Sequence, residues 1–160
     1  MKSKKFISTA KDVINLEIKA LQQLKKNINN SFNQAVLQIA KCQSKVILCG
    51  VGKSGLVASK ISATLSSVGT PSFALSASDS SHGDLGSLSK KDILIVLSYS
   101  GNTNELMNLI QYVNRNRIKL IGIMSKKIPF YIKTLTSNFC YLRLVNLVTE
   151  LCLHQVQLLN

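Results

Sequence analysis

Residues Ile93 to Leu97 form an unbroken apolar run, Ile-Leu-Ile-Val-Leu, which gives way at once to Ser98-Tyr99-Ser100-Gly101-Asn102-Thr103-Asn104-Glu105. Polar and apolar alternation would mark a strand with one wet face. A continuous β-branched and apolar run marks a strand covered on both faces, as in a parallel sheet between helices. The small hydroxyl residues after it stand where a following helix begins. Free backbone N–H groups and the positive end of the helix dipole suit an anion there, and Ser and Thr hydroxyls add donors. Taken alone, a Ser-Gly-x-Thr stretch is better read as capping, with Ser100 or Thr103 as the N-cap of the following helix. The rest of the chain decides between capping and phosphate binding.

That run is one beat of an alternation. Apolar residues at helical spacing from about Phe6 to Ile28 predict a long amphipathic helix, and Phe32 to Lys41 predicts a shorter one after a break at Asn29-Asn30. A strand over Lys45–Cys49 feeds Gly50-Val51-Gly52-Lys53-Ser54-Gly55, and a helix from Ser54 to Val68 stops at Gly69-Thr70-Pro71. A short strand over Ser72–Leu75, a polar loop to Gly86, a strand over Asp92–Ser98, a helix over Thr103–Asn114 and a strand over Lys119–Met124 follow. A helical turn after Pro129 and a strand over Asn138–Leu142 complete the pattern. Strands alternating with helices predict a three-layer α/β fold with a parallel sheet. Ligands of such sheets bind beyond the carboxyl ends of the strands, where both the Gly50–Gly55 and the Ser98–Thr103 loops fall.

Composition excludes several function classes. The 160 residues, 46% of them hydrophobic, have the size and apolar content of one globular domain. The first twenty residues lack the continuous apolar stretch of a signal peptide or membrane span, so a cytoplasmic protein without membrane association is expected. Twenty Lys plus Arg against seven Asp plus Glu give +13, a balance that raises nucleic-acid binding. The basic residues are scattered, however, through Lys25-Lys26, Lys90-Lys91, Arg115 and Arg117, and Lys126-Lys127, with no helix-turn-helix, zinc or RNA-binding motif. Solvated surface charge around an anionic small-molecule site is the expectation, with no nucleic acid. Cys42, Cys49, Cys140 and Cys152 form no Cys-x-x-Cys pair and read as reduced thiols.

Gly50-x-Gly52-x-x-Gly55 matches the dinucleotide fingerprint after a strand and before a helix. The acidic residue that would hold a ribose is missing, since Leu75-Ser76-Ala77-Ser78 end the second strand and Asp79 comes late. Gly52-Lys53-Ser54 mimics the end of a P-loop, but Ile47 occupies the earlier glycine position. A nicotinamide or flavin cofactor therefore ranks well below a phosphosugar, and a nucleoside triphosphatase is not expected.

Four motifs in order then carry a resemblance: Gly50-Val51-Gly52-Lys53-Ser54-Gly55, Gly69-Thr70-Pro71-Ser72-Phe73, Ser81-His82-Gly83-Asp84-Leu85-Gly86, and Ser98-Tyr99-Ser100-Gly101 with Glu105. Together they resemble the sugar isomerase (SIS) domain of D-arabinose 5-phosphate isomerases from about Leu21 to Met124. The resemblance implies a flavodoxin-like three-layer parallel sheet, a homo-oligomer, specifically a homotetramer, and interconversion of ribulose 5-phosphate with arabinose 5-phosphate. That product feeds the octulosonate sugar of bacterial lipopolysaccharide. No cofactor and no metal are implied. Aldose–ketose exchange through an enediol needs a base, a group that polarises the carbonyl and a phosphate anchor. The resemblance implicates Lys53, His82 and Glu105 in catalysis without dividing the roles among them: Glu105 is a candidate base, His82 a proton shuttle, Lys53 a positive charge for the enediolate or the phosphate. Gly52, Ser54, Ser98, Ser100 and Thr103 are the expected phosphosugar ligands.

The pattern departs at Asn102, where the isomerases commonly carry Glu, and at Ser78-Asp79 in place of Gly-Glu. Beyond about Lys127 only Thr149-Glu150-Leu151-Cys152-Leu153 resembles the family, and His154 does not replace its second catalytic histidine. The expected organisation is a helical segment over 1–42, a SIS phosphosugar-binding core over 43–127 and a divergent tail over 128–160. The fold is expected to be incomplete at its C-terminus. The last residues, His154-Gln155-Val156-Gln157-Leu158-Leu159, can be encoded by codons that, read in a shifted frame, give a string such as Ala-Pro-Ser-Ser-Thr-Thr, and a frameshifted and truncated isomerase is the expectation. A non-catalytic phosphosugar-binding module, or a remnant of such a gene, is the alternative.

Overall fold

The structure is a computed structural model and describes residues 2–77, 84–101, 103–125 and 139–143. Asp79, His82, Asn102, the turn after Pro129, Thr149–Leu153 and His154 lie outside the described residues. The chain divides into two compact units, a first that contains residues 2–29 and a second over Asn30–Arg143. The first holds helix α1 (Lys2–Asn27), whose last turn carries Lys25 and Lys26 where cations complement the helix dipole.

The second unit contains α2 (Asn30–Ala40), β1 (Val46–Gly50), α3 (Lys53–Ser67), β2 (Ser72–Ser76), a 3₁₀ turn at Asp84–Ser87, β3 (Ile93–Ser98), α4 (Glu105–Arg115), β4 (Lys119–Met124) and β5 (Phe139–Arg143). The strands form one sheet in the order β2-β1-β3-β4-β5, and every pairing is parallel. This is the expected α/β architecture with helices on both faces.

Strand periodicity divides the core into two layers. Ile47 and Cys49 of β1, Leu94 and Val96 of β3, and Leu120 and Met124 of β4 pack with Leu106, Leu109, Ile110 and Val113 of α4. Their neighbours Val46, Leu48, Ile93, Ile95, Leu97 and Ile121 face the other way, against Ala35 of α2 and Ala58 of α3. Both faces of β1 and β3 are therefore dry, which is why their sequences show no alternation.

Local chemistry sets the helix ends. Gly69, at φ +90°, stops α3: its N–H donates to the Ser66 carbonyl (3.1 Å) and the Thr70 N–H to the Leu65 carbonyl (2.9 Å). This is a Schellman cap. α4 ends in the same way, with the Arg117 N–H on the Asn114 carbonyl (3.1 Å) and the Ile118 N–H on the Val113 carbonyl (2.9 Å). There Arg117 occupies the left-handed position at φ +55°. At the amino ends of the strands, buried Asp92 accepts the Ser89 N–H at 2.7 Å and pairs with Lys45 Nζ at 3.1 Å, fastening the start of β3 to that of β1.

Candidate functional site

Strand order locates the site. From β1 the chain goes outward to β2 and then returns across β1 to β3, so the connections leaving β1 and β3 part to opposite faces. That is the topological switch point of an open parallel sheet, the place where a crevice opens beyond the strand ends. Gly50 lies in register with Leu97, one residue before Ser98. The glycine loop and the serine loop therefore leave adjacent strands at one edge, and α3 and α4 both begin there.

The glycine loop is a tight turn. The Ser54 N–H donates to the Val51 carbonyl at 3.2 Å, and Gly52 sits at φ 56°, ψ −124°. Those are the dihedrals of a type II′ turn, whose first central position favours glycine. The Gly52 carbonyl then accepts the Gly55 and Leu56 N–H groups and starts α3. Lys53 is the first helical residue, with an exposed side chain, and its N–H has no backbone acceptor among the described residues. Gly50 serves a different end: a Cβ there would lie 2.6 Å from the Ser54 carbonyl carbon, and one on Gly55 would lie 2.9 Å from the Gly50 oxygen. The two glycines let α3 start directly above the end of β1.

The serine loop is braced from within. Ser98, the last residue of β3, is 6% exposed. Its Oγ accepts the Gly101 N–H at 3.0 Å and lies 2.9 Å from Thr103 Oγ1. Gly101 adopts φ +70°. The Thr103 carbonyl accepts the Leu106 N–H at 3.0 Å, and no side chain caps α4 at Asn104. Ser100 is exposed and Thr103 half-buried. Glu105 opens α4, exposed, where a carboxylate is favoured by the dipole.

The architecture thus brings Gly52, Lys53, Ser54, Ser98, Ser100, Thr103 and Glu105 to one edge, while His82 lies outside the described residues. Sequence reasoning grouped Ser98 with the ligands and did not foresee its brace to Gly101 and Thr103; the six-residue Ser-x-x-Gly-x-Thr spacing was the available signal. Cys49, one residue before the glycine loop, is buried, and that burial, partly offset by the Gly50 backbone, pushes its thiol up to about 11. It stays protonated and is no nucleophile. Among the described residues no group of three or more His, Cys, Asp or Glu side chains is placed to hold a metal ion, and no helix is long and apolar enough to cross a membrane.

The SIS domain model matches residues 38–130. Arabinose 5-phosphate isomerase KdsD of Yersinia pestis is 37% identical over 147 residues, 92% of this chain and 44% of its own length. Protein RP505 of Rickettsia prowazekii is 42% identical over 118 residues, 74% of this chain and 37% of its own length. The chain thus spans less than half the length of these curated relatives. Among solved structures, an E. coli CFT073 protein in complex with arabinose 5-phosphate superposes with a TM-score of 0.81 at 26% identity, covering 99% of this chain and 93% of that one.

Proposed function

This chain belongs to the SIS domain family, and we propose that it binds a pentose phosphate at the β1/β3 switch point and interconverts ribulose 5-phosphate and arabinose 5-phosphate. The observation that carries the proposal is the convergence of two hydroxyl- and glycine-rich helix starts, with Lys53 on one and Glu105 on the other, at the edge where a parallel sheet takes its ligand. The family relation to arabinose 5-phosphate isomerases and the solved relative with arabinose 5-phosphate bound support the choice of sugar.

In this proposal Gly52, Ser54, Ser100 and Thr103 receive the phosphate, with Ser98 internal to the set. Glu105 takes a proton from C1 of the ketose. The C–H electron pair forms the C1=C2 bond of an enediol while the carbonyl pair moves onto O2. Lys53 offsets the charge that develops on O2. Return of a proton to C2, with the O1 hydroxyl proton delivered to O2, restores a carbonyl at C1 and yields the aldose. His82, assigned from its motif, carries the transfer between the oxygens.

In the same proposal the phosphosugar-binding core spans 43–127, the working form is a homo-oligomer and the compartment is the cytoplasm, which the free thiols of Cys42 and Cys49 suit. The aldose so formed would supply octulosonate synthesis for lipopolysaccharide.

The test is conversion of ribulose 5-phosphate by the purified full chain beside Lys53→Ala and Glu105→Gln. Loss of about 10²–10⁴-fold in kcat for Glu105→Gln, with folding retained, is the expected result for a general base. Sugar phosphate binding without turnover in the parent chain would reassign it as a binding module. Turnover untouched by either substitution would overturn the site.

A further inference from the structure

We propose that the edge of the sheet opposite the sugar site binds the phosphate backbone of a double-stranded nucleic acid, without regard to its sequence. Along the chain the basic residues read as scattered, and nucleic acid is not expected; the fold gathers them. Three connections enter the amino ends of the strands, 41–45 into β1, 87–92 into β3 and 115–119 into β4. They carry Lys41, Lys45, Lys90, Lys91, Arg115, Arg117 and Lys119, which leaves only Lys53 and Lys60 among the Lys and Arg residues between 30 and 125. All but half-buried Lys45 are exposed. The one acidic residue in these connections is Asp92, fully buried and paired with Lys45. The connections are also fastened to one another. The Ile93 N–H donates to the Lys45 carbonyl at 3.1 Å, Cys42 Sγ lies 3.4 Å from the Lys45 carbonyl and 3.7 Å from that of Lys91, and Lys119 is in register with Ile93.

Neighbouring strands stand about 4.8 Å apart, so the starts of β1 and β4, on either side of β3, are about 10 Å apart. That is close to the screening length of about 8 Å at physiological salt, so these like charges repel one another and a polyanion relieves the repulsion. Helix dipoles account for part of the set, since Lys41 follows α2 and Arg115 and Arg117 close α4. Lys90, Lys91 and Lys119 stand at no α-helix end. The composition of the connections selects the occupant. They contain no aromatic residue, hence no platform on which unpaired bases stack. Leu88 and Ile118 are buried, which leaves neither the apolar centre of a protein interface nor an anchor for a bilayer. A duplex asks only for cations and polar donors, such as the exposed Gln43, because its phosphates recur about every 3.4 Å on each strand; a span of about 10 Å meets about three of them per strand.

The experiment is fluorescence anisotropy of two short labelled DNA duplexes of unrelated sequence, titrated with the full chain between about 50 and 200 mM salt. About five phosphate contacts, at about −0.9 each, give a log–log salt slope near −4.5 and an affinity loss of about 500-fold across that range, alike for both sequences. The Lys90→Gln/Lys91→Gln/Lys119→Gln chain should flatten the slope by about 3, and each single substitution by about 1; the singles carry the test should the triple fail to fold. Lys19→Gln/Lys25→Gln/Lys26→Gln removes the same net charge from α1 and should leave the slope within about 1 of the parent. A Lys90/Lys91/Lys119 variant with the parent slope, or an α1 variant that flattens it as much, would reduce the effect to net charge and overturn the proposal. So would tighter binding to phosphatidylserine vesicles or polyglutamate than to duplex at the same salt, which would make the partner a membrane or an acidic protein. Competition by ribulose 5-phosphate would put the duplex on the sugar site and overturn it as well. A chain that isomerises the sugar but ignores duplex refutes this edge alone, and one that binds duplex without turnover leaves the proposal standing while the sugar site fails.

Discussion

Substituting Gly50 by alanine tests the contact on which the glycine loop depends. The new methyl would lie 2.6 Å from the Ser54 carbonyl carbon, 2.7 Å from its oxygen and 2.9 Å from the Gly55 nitrogen, all backbone atoms of the first turn of α3. Ordinary contact begins at 3.4 Å, so that turn must recede by at least 3.4 − 2.6 = 0.8 Å. The far half of the helix cannot follow freely. Ala58 and Ser62 are pressed on the sheet, and Ser72 of β2 donates from its Oγ to the Ser62 carbonyl at 2.6 Å and accepts Ser66 Oγ on its carbonyl at 2.9 Å. The strain has to be taken up as helix tilt or a distorted turn, and overpacking against atoms with so little freedom costs about 2–3 kcal/mol. For a domain of this size that lowers Tm by about 5–10 °C. Urea and thermal unfolding followed by far-UV circular dichroism read the change directly. Gly86→Ala is the control, because its Cβ meets nothing within 4 Å and its backbone is not left-handed; it should stay within about 0.5 kcal/mol of the parent. A Gly50→Ala chain equally close to the parent would refute the claim that β1 and α3 meet at van der Waals limits there.

Gly52→Ala isolates backbone strain from crowding, since its Cβ meets nothing within 4 Å but must adopt φ +56°; a loss of about 1–3 kcal/mol in urea unfolding is expected, and none would mean that the turn relaxes freely. Arg117→Gly relieves the left-handed position that closes α4 and should raise stability by about 0.5–1 kcal/mol, seen as a higher urea midpoint at unchanged slope. Burial alone would push the Asp92 carboxyl up, but hydrogen bonds from Ser44 and Ser89 and the Lys45 ammonium outweigh it and hold the group below the ordinary carboxylate value. Its stabilisation is therefore fully present above the unfolded-state pKa and disappears as pH falls through the lower folded value. Asp92→Asn should cost about 1–2 kcal/mol near neutrality, reduced because Lys45 is partly exposed, and should flatten the acid limb of a pH-stability curve below about pH 4.

Much of the fold is legible in residue patterns. The Ile93–Leu97 run reads directly as a doubly covered strand, and the strand over Lys119–Met124 has the bounds expected of it. At the starts of β3 and α4, where the bounds differ from expectation, a specific hydrogen bond accounts for the difference. Asp92 carries strand-like neighbours but closes a turn, its N–H on the Ser89 carbonyl at 3.1 Å and its carboxylate on the Ser89 N–H. Thr103 fits a helix start by composition, yet its hydroxyl goes back to Ser98 and α4 begins at Glu105. The α4 stop carries no glycine signal, because Arg117 occupies the position where glycine is usual.

The sequence by itself determined which segments are strands and helices, which loops carry hydroxyls and glycines, and that the loops follow strands. These are properties of neighbouring residues: periodicity, capping and backbone freedom act over a few positions. Only the tertiary structure decided that β1 sits between β2 and β3, that odd and even strand residues divide between α4 and the α2/α3 layer, and that Gly50 meets Ser54 backbone to backbone. It also decided that Ser98 faces inward to Gly101 and Thr103. Such facts depend on atoms that strand pairing and burial bring together, and a one-dimensional pattern records the residues that can meet without recording which of them do.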